Sequence, residues 1–362
     1  MEWFHSRLSV ISAVAILLGI VSCDNARKPT QPSYVRVPGY HIYTVDLAKS
    51  YISEVLRFDT YTKVIDTIPI PSLYNDDYSI EVSPFDDILF FGNNSVLIAF
   101  DLRTNSVKAT RLVPARSLAV SPDGRHIAAW GGTRLNLMSA GDLSVTKYLD
   151  CSLVLDPRFS HDSRFLTFQA RSAQVNESLY VAQVNVEEGT ETRHLKGSLH
   201  QQVIFDPTVS QWYVYRYATS FYGVVSVFDE YEQNLLTLLT SPSHGFLAKP
   251  NNQARLYFTS PGGLTSIDPP REQLFYVDSP DWLLDSISTQ AIITGCQTQP
   301  GYSPERLSVS RDDSMMVISE IYSNRYLVMN LATQICTDTV QFQFCEAMIL
   351  SGAAISFRYD NR

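Results

Sequence analysis

The chain lacks nearly every compact signature of catalysis. Its 362 residues hold no Cys-x-x-Cys, no His-Glu-x-x-His, no Gly-x-Ser-x-Gly, no phosphate-binding glycine loop and no EF-hand pattern. Spacing therefore points to no zinc ribbon, c-type haem, zinc protease, hydrolase elbow, nucleotide cradle or calcium loop. The seven histidines, at 5, 41, 126, 161, 194, 200 and 244, are scattered, and the acidic pairs Asp76-Asp77, Glu187-Glu188 and Asp312-Asp313 offer too few oxygens for calcium. Neither a metal nor a cofactor is expected. Cationic residues are scarce as well: 28 Lys and Arg against 37 Asp and Glu leave a formal charge of −9. Without a basic run, no nucleic-acid partner is expected. Apolar residues make up 45% of the chain but come in short runs broken by Gly, Pro, Asn, Asp and Ser, the texture of a folded all-β protein.

What recurs is a Ser-Pro-Asp turn between two apolar runs. It stands at Ser83-Pro84-Phe85-Asp86, Ser121-Pro122-Asp123-Gly124, Ser160-His161-Asp162 and Ser310-Arg311-Asp312, and the first three serines fall 38 and 39 residues apart. Proline presets its own backbone angle, while Ser and Asp side chains bond nearby main-chain N–H groups, so the segment reverses the chain between antiparallel strands. A third run ending in Asp or Asn follows (Val96–Thr104, Tyr326–Thr333), then a more polar fourth (Val107–Thr110, Val145–Tyr148). Four short strands in about 40 residues make one propeller blade.

The segments SLAVSPDGRHIAAW (Ser117–Trp130) and KVIDTIPI (Lys63–Ile70) resemble the YVTN family of β-propeller repeats, which are WD40-like in form. The resemblance implies an all-β propeller of seven four-stranded blades, with eight as the alternative, and speaks to fold more than to activity. Near Asp206-Pro207 and Lys249-Pro250 only the spacing is kept, and Trp282–Ser303 reads as an irregular blade or an insertion. The ring is expected to close by pairing the chain ends. The first elements, including Ile42–Lys49, read as third and fourth strands, and Ala347–Leu350 with Ala353–Tyr359 read as a first and a second.

At the N-terminus, Arg7 precedes an apolar stretch from Leu8 to Val21, long enough for a secretory signal but short of the roughly 20 residues a membrane span requires. It ends in Ile20-Val21-Ser22-Cys23, which resembles the lipobox of bacterial lipoproteins. That implies a signal peptide over 1–22, lipid on Cys23, a tether over 23–38 and a single propeller over 39–362. It also places the protein in the bacterial cell envelope, exported and anchored to a membrane by its N-terminal lipid. Of the other cysteines, Cys336 and Cys345 lie nine residues apart at the ends of adjacent predicted strands. They read either as a disulfide across the closing blade or as buried thiols.

Two further segments bear on function. Trp212–Gly223 is dense in aromatic residues; core packing is the expected role of Tyr213, Tyr215 and Tyr217. Arg216, with Phe221 and Tyr222 in a predicted loop, is kept as a partner-contact candidate. Ala99–Asn105 is similar to the Ala-x-Asp-x-x-Thr-Gly segment of quinoprotein propellers, with Asn105 in place of glycine, and in that family the segment locks blades together. No catalytic residue is assigned. The expected function is a protein- or peptide-binding scaffold in the envelope. The alternative is a lactonase-like or quinoprotein-like enzyme with an axial site, for which Glu81, Arg158 and Ser308 are the residues expected to face the channel.

Overall fold

The computed structural model describes residues 35–45, 51–74, 79–85, 87–172, 179–196, 202–219, 222–240, 247–250, 255–260, 273–278, 283–287, 304–320, 325–341 and 354–360. Its main unit is Val37–Arg358, and a minor unit comprises Met1–Arg36 with Tyr359–Arg362. Among the described residues there is no helix; antiparallel strands form seven four-stranded blades arranged as a β-propeller.

Blade 2 shows the unit: β4 (Ser79–Val82), β5 (Ile88–Gly92), β6 (Leu97–Asp101) and β7 (Ser106–Arg111), each paired with the next. Blade 3 takes β8 (Ser117–Val120), β9 (His126–Gly131), β10 (Arg134–Ser139) and the start of β11 (Val145–Phe159). The rest of β11, with β12 (Phe165–Ser172), β13 (Leu179–Asn185) and β14 (Glu191–His194), makes blade 4. One strand thus serves as the outer strand of one blade and the inner strand of the next, with a register shift just beyond Cys151, where it changes partner, and another beyond Leu155. Blade 5 is β15 (Gln202–Asp206) to β18 (Asn234–Thr240), blade 6 is β19 (Leu247–Ala248) to β22 (Leu283–Ile287), and blade 7 is β23 (Pro304–Val309) to β26 (Ile335–Gln341).

The Ser-Asp turns repeat atom for atom. The hydroxyls of Ser121, Ser160 and Ser310 accept the N–H five residues on at 2.9–3.0 Å. They donate to Asp123, Asp162 and Asp312 at 2.6–2.8 Å. In blade 2 the turn is longer, and Ser83 donates to Asp87 at 2.5 Å; Asp86, the acid of the sequence motif, lies outside the described residues. The serines are buried, so each hydroxyl satisfies main-chain groups that water cannot reach.

Blade 1 closes the ring by pairing the two ends of the chain, as expected, but divides its strands between them differently. Its order is β27 (Ala354–Asp360), β1 (Val35–Thr44), β2 (Tyr51–Asp59), β3 (Ile65–Tyr74), so the start of the chain supplies three strands and the end one. Ile42–Thr44 belongs to the second strand, not the third, and β1 begins at Val35, inside the segment read as tether. The misleading feature is Asp46-Leu47-Ala48-Lys49, which copies the Asp-Leu-Arg-Thr ending of a third strand. The real turn starts at Asp59, whose carboxylate accepts the N–H groups of Tyr61 and Thr62 at 2.8 and 3.1 Å, as Asp101 accepts those of Arg103 and Thr104. Ala347–Leu350 lies outside the described residues.

Between blades, apolar faces interlock. Tyr43, Val55, Leu89 and Phe91 fill the gap between blades 1 and 2, and Tyr213, Tyr215, Phe258 and Phe275 that between 5 and 6. Where the link from blade 2 to blade 3 crosses the strand ends, only glycine fits. A Cβ on Gly92 would sit 2.5 Å from that of Ala115, and one on Gly131 would collide with Pro114. Gly131→Ala is expected to cost about 1–3 kcal/mol by overpacking against backbone; denaturant melts of the variant at wild-type stability would contradict it.

Candidate functional site

The innermost strands carry apolar residues on one face and mixed residues on the other. Ile80 and Val82, like Leu118 and Val120, pack toward the preceding blade. The alternating positions, two residues before each turn serine, are Glu81, Ala119, Arg158 and Ser308. The first three lie on the inner strands of blades 2, 3 and 4, and Ser308 on that of blade 7.

Charges from three blades meet there. Glu81 (blade 2) lies within electrostatic reach of Arg158 and Asp156 (blade 4) and of Arg311 (blade 7). Inner strands so far apart around the ring approach one another only on its axis. Arg158 Nε donates to Asp156 at 2.7 Å, and an Arg311 Nη donates to the Pro122 carbonyl at 2.7 Å, so Arg311 reaches from the turn of blade 7 to that of blade 3. Glu81 keeps partial exposure to the channel, but protein crowds it. Burial pushes its carboxyl up to about 7, against the pull of Arg311 and Arg158, and Asp156 adds to the rise.

The sign of the pH effect follows. The folded value lies above the ordinary 4.5, so the stability linked to Glu81 is full below about pH 4.5 and is lost as pH rises through 7. Glu81→Gln removes that loss and is expected to gain about 3 kcal/mol on wild type between pH 4.5 and 8. Stability curves for the two proteins that stay parallel over that range would refute the assignment.

Blades 5 and 6, which keep only the spacing, replace the turn serine by a charge pair. Lys249 Nζ lies 3.0 Å from Asp206 Oδ2, both side chains at most 7% exposed. The Asp206 carboxylate also accepts the Thr208 N–H at 2.9 Å and the Thr208 hydroxyl, and Lys249 lies over the Tyr213 ring. Burial alone would raise the Asp206 carboxyl; Thr208 and Lys249 outweigh it and hold the group below the usual range.

Among the residues singled out from sequence, Glu81 and Arg158 do approach each other on the axis, and Ser308 is half-buried on its inner strand. Asp156 and Arg311 were missed, since Arg311 occupies a turn position that holds proline in blades 2 and 3. Tyr213 and Tyr215 are core residues, 1% exposed. Arg216 is half-buried on β16 (Gln211–Thr219). Tyr222 opens β17 (Tyr222–Phe228) and pairs with Thr219, so it stands on a strand and not in a loop. Cys23, Phe221 and Cys345 lie outside the described residues. Cys151 is a buried thiol and Cys336 is disulfide-bonded. Among the described residues no His, Cys, Asp or Glu cluster has the form of a metal site, and no helix is long and apolar enough to cross a membrane.

No protein-family model and no curated protein matches the sequence. Among solved structures the chain is similar to dihydro-heme d1 dehydrogenase NirN in complex with DHE, at 15% identity and a TM-score of 0.55 over 91% of this chain and 78% of that one. It is similar to the hydrazine synthase of Kuenenia stuttgartiensis at 12% identity and 0.52, over 70% and 76% of the two chains. It is also similar to the Swd1 β-propeller domain of Myceliophteria thermophila at 13% and 0.53, over 74% and 87%. Two of these are enzymes and one is a domain named for its fold, and at such identities the likeness speaks to architecture alone: the chain is a seven-bladed propeller with WD40-like neighbours.

Proposed function

We propose that this protein is a lipid-anchored propeller of the bacterial cell envelope that serves as a protein- or peptide-binding scaffold. The observation that carries the reading is how the axis uses its charges. Arg158 is engaged by Asp156, and Arg311 crosses to the Pro122 carbonyl, so both arginines brace the ring where a catalytic funnel would present them to a substrate. Binding then falls to the loops and edges of a rigid frame. The lipobox-like Ile20-Val21-Ser22-Cys23 supports the anchor, with diacylated Cys23 holding the ring to a membrane through the following tether. In that oxidising setting Cys345 is the partner this reading favours for Cys336; peptide mapping of unreduced protein tests the pair.

Crosslinking in intact membranes, alongside labelling with a fatty-acid analogue, tests the whole reading. The wild type is expected to take up label and capture a discrete envelope protein, and Cys23→Ser to lose the label and leave the membrane fraction. An unlabelled wild type, or one that captures nothing, would overturn it. A second reading, the axial enzyme, draws on Glu81, whose carboxyl near neutrality between two arginines suits a general base. It predicts turnover of a small lactone or a quinone-dependent oxidation that Glu81→Gln abolishes.

A further inference from the structure

Outer strands of propeller blades are open sheet edges, and most of those in this ring are defended. β3 carries Asp66, Pro69 and Pro71; β7 carries Lys108 and Arg111; the outer part of β11 carries Lys147 and Asp150; β14 carries Glu191 and Arg193. β22 carries Asp285 and β26 carries Asp338. Charge and proline on an edge discourage another strand from adding to it. The exception is β18, Asn234-Leu235-Leu236-Thr237-Leu238-Leu239-Thr240, with neither. Among the described residues it is the last strand of its sheet and pairs only with β17. Leu236 and Leu238 lean on the core between blades 5 and 6, while Leu235 is 41% exposed and Thr237 is exposed.

The turn leading into this strand has its own chemistry. Asp229-Glu230-Tyr231-Glu232 holds Tyr231 out at 74% exposure among three acids, with the Asp229 carboxylate fixing the Tyr231 and Gln233 N–H groups. Glu232 touches His194 of blade 4, whose own outer turn exposes Glu187 and Glu188. The end of the edge is therefore acidic and aromatic, and its length is apolar and uncharged. A second copy of this chain is a poor occupant, since each copy carries −9.

We propose that β18 is a strand-addition site that takes an extended segment of a partner protein, alternating in apolar residues and bearing lysine or arginine at the end that meets the 229–232 turn. This rests on the scaffold reading and names its docking edge. The main-chain groups of β18 supply affinity; Leu235 and Tyr231 with the acidic turn supply selectivity.

The probes are seven-residue peptides of alternating Val and Thr with two lysines at one end or the other, and the same peptides with two glutamates. Full-length protein is expected to bind one lysine orientation and to slow hydrogen exchange at residues 234–240, with the glutamate peptides at least about tenfold weaker. Thr237→Lys, an exposed substitution that copies the lysines of β7 and β11, is expected to weaken binding by about tenfold or more at unchanged melting temperature. Binding that Thr237→Lys leaves intact, protection elsewhere, self-association through this edge, or no binding by any lysine peptide overturns the site. The membrane crosslinking experiment separates the two failures: a partner captured there with unchanged yield from Thr237→Lys would refute this edge and leave the scaffold reading standing.

Discussion

Ending the chain at residue 353 is expected to lower the melting temperature by about 10 °C or more, equivalent to about 5 kcal/mol in a domain of this size. The deletion removes β27, the innermost strand of blade 1 and, among the described residues, the only one drawn from the far end of the chain. Ile355 leaves the cluster of Ile42, Leu56, Phe58, Met315 and Val328 that joins blade 1 to blade 7, and β1 is left with an open edge. Part of the join survives: Tyr40 donates to Asp312 at 2.6 Å, Thr44 bonds Tyr326 at 2.7 Å, and Lys63 pairs with Asp338. The shortened protein should therefore keep its strand content at low temperature while losing cooperativity. A synthetic peptide of residues 354–362 should restore the transition in trans. A truncated protein that melts like the full chain would show that closure does not depend on β27.

Lys249→Met should cost about 3–5 kcal/mol, because it strands the Asp206 carboxylate in a site that excludes water. Adding Asp206→Ser should recover most of the loss, since serine is what the same turn position holds in blades 2, 3, 4 and 7. The two proteins should also respond to acid to different degrees. In the wild type the Asp206 carboxyl is held low, so its contribution is full above about pH 4 and is lost as pH falls through the folded value. In Lys249→Met the Thr208 bonds remain but the pull of Lys249 is gone, so burial is opposed less, the carboxyl is held down less, and less stability is lost as pH falls. The stability gap should narrow on acidification. A gap independent of pH would mean that the pair is not what Lys249 contributes.

Where the sequence repeats itself, the fold could be read from it. Ser121-Pro122-Asp123-Gly124 and its relatives mark the exit of an inner strand because the serine closes the turn on both sides, and that chemistry survives at Ser160 and Ser310 without the proline. It was unreadable where another residue type fills the same position. Asp206 and Lys249 fill the serine's positions in blades 5 and 6 and pair across 43 residues of sequence, and a one-dimensional pattern does not reveal such a couple. The closing blade misled for a related reason: Asp46 sits in a convincing imitation of the turn that Asp59 makes. The axial cluster was half legible. Alternation picked out Glu81 and Arg158, but only the closed ring brings a residue of blade 7 to Pro122 of blade 3.

β11 has one more consequence. Among the described strands, neighbouring blades otherwise form separate four-stranded sheets, but blades 3 and 4 share a continuous ribbon of backbone pairing from β8 through to β14. Under load or on heating, this fused pair should be the last piece of the circle to fray, which makes it the natural hinge-free grip for anything that pulls on the molecule.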